Sequence, residues 1–158
     1  MNPVSDFFLI LPELILLGAA SCLLIFGVFR TTNADPGVTR LAVVFMGVSL
    51  VFVLAIAGDE KMIFEGLLIT DRFGQFMKAL VLVGAILTLV MGHGYREREG
   101  LMQFEYPVLI MFASLGMLLM VSANDLMSLY LGLELQSLSL YIMAAIDRDS
   151  QRSSEAGL

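Results

Sequence analysis

The sequence predicts an all-α membrane protein, a polytopic bundle of about five transmembrane helices. Three observations lead to this fold class. The chain of 158 residues is 58% hydrophobic and 15% charged, whereas a soluble domain is typically about half apolar and a quarter charged. Its mean hydropathy is +0.88. Finally, five apolar stretches each approach the ~20 residues that a helix needs to cross a bilayer.

Each stretch has recognisable ends. The first contains Pro12 in its opening turns, where a missing N–H is tolerated, and the second ends at the charged segment GDEK. The third opens at DRFGQ and closes at HGYRERE, and a short SAND turn separates the fourth from the fifth. Helices are expected for all five, because hydrocarbon cannot satisfy exposed backbone groups. The sequence thus predicts a single transmembrane domain, residues 1–158, with spans at 7–29, 39–57, 73–93, 104–123 and 126–146 and a tail at 147–158.

The connections between the spans are short and polar, with one exception. Residues Lys61–Asp71 are too few to span, and their β-branched and apolar side chains predict a short strand or hairpin lying on the membrane domain. In the SAND turn, Asn124 or Asp125 is expected to cap the fifth helix by accepting from its first free N–H groups.

Basic residues collect on one side of the predicted bundle. That side holds Arg30, Arg40, Arg96, Arg98, Arg148 and Arg152. The other side holds Lys61 and Arg72 together with acidic residues of the same link. Because short cytoplasmic loops are enriched in Lys and Arg, the N-terminus is predicted to lie outside, on the periplasmic side, and the tail inside.

Several functional classes find no support in the sequence. The net charge of −6 offers no basic stripe for phosphates, so no nucleic-acid partner is expected. The single cysteine, Cys22, excludes an internal disulfide. No CxxC, His/Cys cluster, GxGxxG after a strand or GxxxxGK[ST] occurs, so no metal or cofactor site is expected in this chain.

One acidic residue stands near the middle of the last span. Glu134 interrupts the run DLMSLYLGLELQSLSLYIMAA, where a charge costs about 2.5–3.5 kcal/mol on insertion scales. A carboxyl group there must be neutral, paired or beside water. Burial favours its protonated form and an approaching cation favours its ionised form, which together allow it to load and release a proton. The alternative is a structural carboxyl, kept protonated and bonded to a neighbouring helix.

Three hydroxyl residues share the face of Glu134. At 100° per residue, Tyr130, Glu134, Ser137 and Tyr141 fall on one narrow face. A polar face of this kind can hold water around a carboxylate, and it predicts that Glu134 faces the bundle interior. The alternative for the three hydroxyls is hydrogen bonding between helices.

Other ionisable residues near the spans have simpler explanations. Glu13 follows Pro12 near the outer end of the first helix and is expected to reach the interface or cap the helix. Lys78 is a conceivable partner for an acid, but its long stem is expected to carry the amine to headgroup depth. His93, at the inner boundary, is expected to be a surface residue.

The segments SANDLMSLYLGLELQSLSLYIMAA and RSSEAGL resemble the subunit N family of bacterial NADH–quinone oxidoreductase, respiratory complex I. That family has an LGxEL stretch followed by SL and LY, then a basic inner link and an EA-containing start to its next segment. TDRFGQFMKALVLVGAILTL and FEYPVLIMFASLGMLLMVSAND resemble the family's preceding segments in the same order.

The resemblance implies the N-terminal part of an antiporter-like fold that conducts protons in the bacterial inner membrane. It implies that Glu134 matches the family's intramembrane glutamate, which works with a lysine on a later helix. NAD, FMN, iron–sulfur centres and quinone would belong to partner subunits, and this chain would assemble with other membrane-arm subunits of complex I. Because the family's chain is about three times longer, this sequence is expected to be a fragment. The rival interpretations are a subunit of a multi-subunit cation/proton antiporter and a non-conducting membrane scaffold.

Overall fold

The computed structural model describes residues 7–29, 36–56, 61–98 and 103–146. Five helices in these ranges are long and apolar enough to cross a membrane, which confirms the predicted all-α transmembrane class. They are α1 (Leu11–Phe29), α2 (Pro36–Ala55), α3 (Arg72–Arg98), α4 (Glu105–Ser122) and α5 (Leu126–Ala144). The predicted tail at 147–158 lies outside the described residues.

The helix boundaries follow local chemistry. A helical turn at residues 7–9 precedes α1, and the break at Ile10 lies close to Pro12, which has no N–H to donate to the preceding turn. Helix α2 begins at Pro36, earlier than the predicted residue 39, because proline suits the first helical position. Helix α3 extends to Arg98, beyond the predicted residue 93, since the Glu and Arg residues there are good helix formers.

The core lies between α1, α2, α3 and α4. Helix α4 packs against each of the other four helices, and its buried residues surround its whole girth, from Val108 and Met111 to Leu115 and Leu118. The buried cluster contains leucine, alanine, valine and methionine side chains from α1 to α3, among them Leu16, Leu23, Ala42, Met46, Leu82 and Leu89. None of the fully buried members of this cluster comes from α5.

A β-hairpin connects α2 to α3, as the residues Lys61–Asp71 predict. Strand β1 (Lys61–Ile63) pairs antiparallel with β2 (Leu68–Thr70), with Met62 opposite Ile69. Its turn is conformationally costly, because Phe64 (φ 52°) and Glu65 (φ 57°) adopt positive φ before Gly66 (φ 94°).

The hairpin is held against the turn between α4 and α5. Asn124 donates from its backbone N–H to Leu67 O at 3.0 Å and from its side-chain amide to Gly66 O at 2.7 Å. The ring of Phe64 also meets the ring of Phe7 edge-to-face at 6.1 Å. The hairpin therefore marks the end of the bundle where α1, α3 and α5 begin and α2 and α4 end.

Helices α4 and α5 approach each other through two glycines. A Cβ atom on Gly116 would lie 2.7 Å from the backbone N of Gln136 and 2.7 Å from Gly132 O. A Cβ atom on Gly132 would lie 2.9 Å from Gly116 O. All three distances are too short for a side chain, so the two backbones touch, as small residues allow in membrane helices. This contact decides which face of α5 is turned towards α4.

Candidate functional site

Helix α5 carries the candidate site, and its start is defined by a side-chain cap. Asp125 has extended backbone, and its Oδ1 accepts from the backbone N–H of Ser128 at 2.9 Å. Hydrogen bonds from the Ser128 side chain and then its backbone N–H lower the pKa of Asp125 below its usual value. Of the two predicted caps, Asp125 therefore caps α5, while Asn124 holds the hairpin. From this start, Glu134 falls close to the midpoint of Leu126–Ala144.

The predicted polar face of α5 is present, but it points away from α4. Tyr130 is 57% exposed and Tyr141 is 60% exposed, while Glu134 and Ser137 are half-buried. The buried residues of α5 are Gly132 and Ser139, half a turn around the helix from this face. This differs from the expected inward-facing arrangement. The physical reason is the glycine contact, which requires the opposite face to pack on α4.

Among the four predicted site residues, the structure brings one pair into contact. The Tyr130 hydroxyl donates to the Glu134 carboxylate one turn later. The Ser137 hydroxyl donates instead to the Leu133 carbonyl of its own helix at 2.8 Å. Within the part of the chain that the structure describes, no cation forms an ion pair with Glu134. The carboxyl therefore has a hydroxyl donor but lacks a charged partner in these helices.

A second pair of ionisable residues lies inside the bundle. Lys78 Nζ donates to Glu13 Oε1 at 2.5 Å, and each residue is only 5% exposed. The expectations that Glu13 reaches the interface and that Lys78 extends to headgroup depth are wrong. Helices α1 and α3 pack on α2 and α4 so that the two side chains meet in the interior and neutralise each other.

A sequence signal for this pair exists. Glu13 and Lys78 both lie within two turns of a helix start, and α1 and α3 start at the same end of an alternating bundle. Opposite charges at similar depth can pair across parallel helices. The expected surface position of His93 is untested, because its side chain lies outside the described residues. No three His, Cys, Asp or Glu residues gather as metal ligands in the described ranges, and the absence of a cofactor from this chain stays a prediction.

Comparison with known proteins locates α5 in a recognised family region. Residues 123–158 match the family model described as "NADH:quinone oxidoreductase/Mrp antiporter, TM". Over all 158 residues, the chain is 46% identical to NADH-quinone oxidoreductase subunit N of Paramagnetospirillum magneticum and covers 32% of that protein. Over 98% of its length, it is 48% identical to NADH-quinone oxidoreductase subunit N 1 of Rhizobium meliloti, of which it also covers 32%.

The chain is thus similar over essentially its whole length to subunit N of NADH-quinone oxidoreductase. This confirms the resemblance noted in Asn124–Leu158 and in the preceding segments. The chain spans about a third of the length of the curated subunit N relatives it matches.

A solved structure shows the same fold. The chain superimposes with a TM-score of 0.74 on a chain of respiratory complex I from Thermus thermophilus with bound aureothin, at 25% sequence identity. The match covers 92% of this chain and 31% of the Thermus chain. The region that matches the family model, residues 123–158, contains the whole of α5, so Glu134 and Tyr130 both lie within it.

Proposed function

We propose that this chain is part of a proton-translocating, antiporter-like membrane subunit of NADH:quinone oxidoreductase, with Glu134 as its intramembrane proton carrier. The observation that carries the proposal is the position of Glu134. It lies at the middle of a transmembrane-length helix within the family-model region, half-buried and hydrogen-bonded by Tyr130.

The physical requirement for a proton carrier is a carboxyl group whose surroundings change. In hydrocarbon, the neutral carboxylic acid is favoured, and a nearby cation favours the carboxylate. Glu134 has no such cation within the described residues. The partner is therefore proposed to be a lysine-bearing segment beyond α5, which would lie against the exposed face that contains Tyr130, Glu134, Ser137 and Tyr141.

The polar face of α5 points out of the described bundle, and its chemistry supports contact with another protein segment and not with lipid. Facing lipid directly, the ionised carboxylate would cost several kcal/mol. The side chains along this face, Tyr130, Glu134 and Tyr141, can form hydrogen bonds to a neighbouring helix. Such a face suits contact with another helix better than contact with lipid. The relevant partners are proposed to be other membrane-arm subunits of complex I.

The redox chemistry is assigned to those partners. This chain is proposed to contribute proton movement, coupled to NADH oxidation and quinone reduction elsewhere in the enzyme. Its proposed location is the bacterial inner membrane, with the hairpin end of the bundle on the periplasmic side. The distribution of arginines in the described helices supports this orientation, since Arg40 near the start of α2 and Arg96 and Arg98 at the end of α3 lie opposite the hairpin, whereas Arg72 lies at the hairpin end.

A Glu134→Gln variant tests the proposal. The substitution is made in the gene that encodes this chain, and membrane vesicles from the host are assayed for NADH:quinone reductase activity and NADH-driven proton uptake. The enzyme is expected to assemble, with proton uptake lowered at least about tenfold because a proton-transfer group is lost. The matched control is Glu65→Gln, which removes a carboxyl from the exposed hairpin turn and is expected to leave proton uptake unchanged.

Two outcomes would redirect the assignment. Normal proton uptake in the Glu134→Gln variant would favour a non-conducting scaffold. The family description also names Mrp antiporters. A purified complex that contains this chain, lacks NADH dehydrogenase activity and exchanges cations for protons in vesicles would favour a cation/proton antiporter subunit.

A further inference from the structure

The Glu13–Lys78 ion pair lies beside polar atoms that have no hydrogen-bond partner among the described residues. Glu13 Oε1 accepts from Lys78, whereas Glu13 Oε2 is buried without a hydrogen-bond partner among the described residues. One turn before Lys78, the side-chain amide nitrogen of Gln75 is likewise buried and unpartnered. Two unsatisfied polar atoms beside one ion pair are unusual, because buried polar groups are nearly always hydrogen-bonded.

A small cavity adjoins the pair at the hairpin end of the bundle. Its volume is about 10 Å³, which is close to the space that one water molecule needs. The residues around it include Pro12, Thr70, Gln75 and Lys78, and Lys78 is the only charged residue among those that line it. Thr70 belongs to β2, so the cavity lies where the hairpin meets α1 and α3.

A purely structural explanation accounts poorly for this arrangement. A buried ion pair is weak evidence for stability, since well-packed apolar residues of similar volume are often as stable or more so. The link between α1 and α2 at this level is already made without charge, because the Ser49 hydroxyl donates to the Pro12 carbonyl at 3.0 Å. An ion pair with an unpartnered carboxylate oxygen adds desolvation cost without completing its own hydrogen bonds.

We propose that Glu13, Lys78 and Gln75 form a second proton-exchange site, which binds water at the hairpin end and is separate from Glu134. Water held by Gln75 and Lys78 provides the contact with the aqueous side. Glu13 accepts a proton at its carboxylate, and Lys78 is the donor or acceptor within the pair.

The proton transfer is balanced within these groups. In the ionised pair, the Lys78 ammonium gives one proton to the Glu13 carboxylate, which leaves a neutral amine and a neutral carboxylic acid. Glu13 then releases its proton to a neighbouring water, and the Lys78 amine takes one from a second water. One N–H bond breaks and one O–H bond forms in the first step, and no oxidant or reductant is needed.

The decisive variant is Gln75→Leu. It leaves both members of the ion pair in place, removes the unpartnered amide and replaces it with an apolar side chain of similar size, so that the cavity loses a polar group able to hold water. In host membrane vesicles, the enzyme is expected to assemble and to move at least twofold fewer protons per NADH oxidised. The matched control is Ser49→Ala, which removes a neighbouring neutral hydrogen bond and is expected to keep wild-type proton uptake.

A second variant separates proton exchange from mere attachment of α1 to α3. The double substitution Glu13→Leu/Lys78→Met replaces the pair with apolar side chains, so that neither charge is left alone. It is expected to assemble with at least twofold lower proton uptake per NADH. Wild-type proton uptake in both Gln75→Leu and the double variant would overturn the proposal and leave the pair as a structural link.

The result can be separated from a failure of the proposed function. The inference uses the proton-translocating activity as its readout, but its residues lie on α1 and α3, and the activity is tested by Glu134→Gln on α5. Should the double variant fail to assemble, Gln75→Leu decides alone, because it leaves the ion pair intact. Infrared spectra of the purified enzyme test the site without turnover. Loss of a protonated-carboxyl band in Glu13→Gln supports proton exchange at Glu13. A carboxyl region that is unchanged in this variant contradicts the proposal.

Discussion

Lys78 on α3 and Glu13 on α1 meet as an ion pair in the interior of the bundle, with Nζ 2.5 Å from Oε1. The two residues are 65 positions apart, and both are buried from the surface of the described bundle. The pair joins the first and third helices on the side where the hairpin lies. Substitutions of this pair therefore test both the stability of the bundle and its proposed exchange of protons.

Breaking this pair on one side is expected to destabilise the protein more than removing it altogether. Lys78→Met leaves the Glu13 carboxylate buried without its cation, which typically costs about 3–5 kcal/mol. Glu13→Leu/Lys78→Met is expected to recover most of that loss. Thermal unfolding of the purified, detergent-solubilised enzyme measures the difference. A double variant less stable than the single would show that the charges are needed for folding.

A side chain at the glycine contact is expected to separate α5 from α4. In Gly116→Leu, the new atoms would overlap the backbone of Gln136 and Gly132, and overpacking of this kind typically costs about 1–3 kcal/mol or more. The matched control is Gly47→Leu in α2, since a Cβ atom at Gly47 meets nothing within 4 Å. Assembly of the subunit in membranes, followed by native gel electrophoresis, is the measurement. Equal assembly of the two variants would contradict the close backbone contact.

The Tyr130 hydroxyl is expected to tune proton exchange at Glu134. Tyr130→Phe removes the donor while keeping the ring, so proton uptake is expected to fall by a factor of about ten to a hundred, which corresponds to the ~1.5–3 kcal/mol of one hydrogen bond to a charged group. Tyr141→Phe is the matched control, because Tyr141 lies on the same face at similar exposure. Proton uptake in vesicles distinguishes the two variants. An equal effect from both would indicate a general role for the face and not a specific Tyr130–Glu134 contact.

The cap of α5 is expected to weaken in acid. The pKa of Asp125 is lowered by its hydrogen bonds from Ser128, so its stabilising effect is fully present above the unfolded value near 3.8 and is lost as the pH falls through the lower folded value. Hydrogen exchange of the Ser128 amide measures this loss. In Asp125→Asn, the side-chain carbonyl can still accept the hydrogen bond but does not titrate. The exchange rate of the Ser128 amide, relative to other amides of the helix, is therefore expected not to rise in acid. A rise that persists in this variant would assign the titration to another group.

Local sequence features account for most of the fold. Apolar length predicts all five helices, because each must satisfy its backbone within hydrocarbon. The short apolar segment Lys61–Asp71 predicts the hairpin, and the SAND turn predicts a cap that the structure assigns to Asp125. The helical spacing of Tyr130 and Glu134 also predicts their contact, since residues four apart lie on the same face.

The sequence by itself therefore determined the membrane class, the order of the helices and the alignment of the polar residues along α5, because these depend on hydropathy and helical period. Tertiary structure decided which face of α5 packs and which charges meet. The contact of Gly116 with Gly132 turns Glu134 away from α4, and the packing of α1 and α3 brings Glu13 to Lys78. Both outcomes depend on how closely separate helices approach each other, and no local pattern within a single helix encodes that distance.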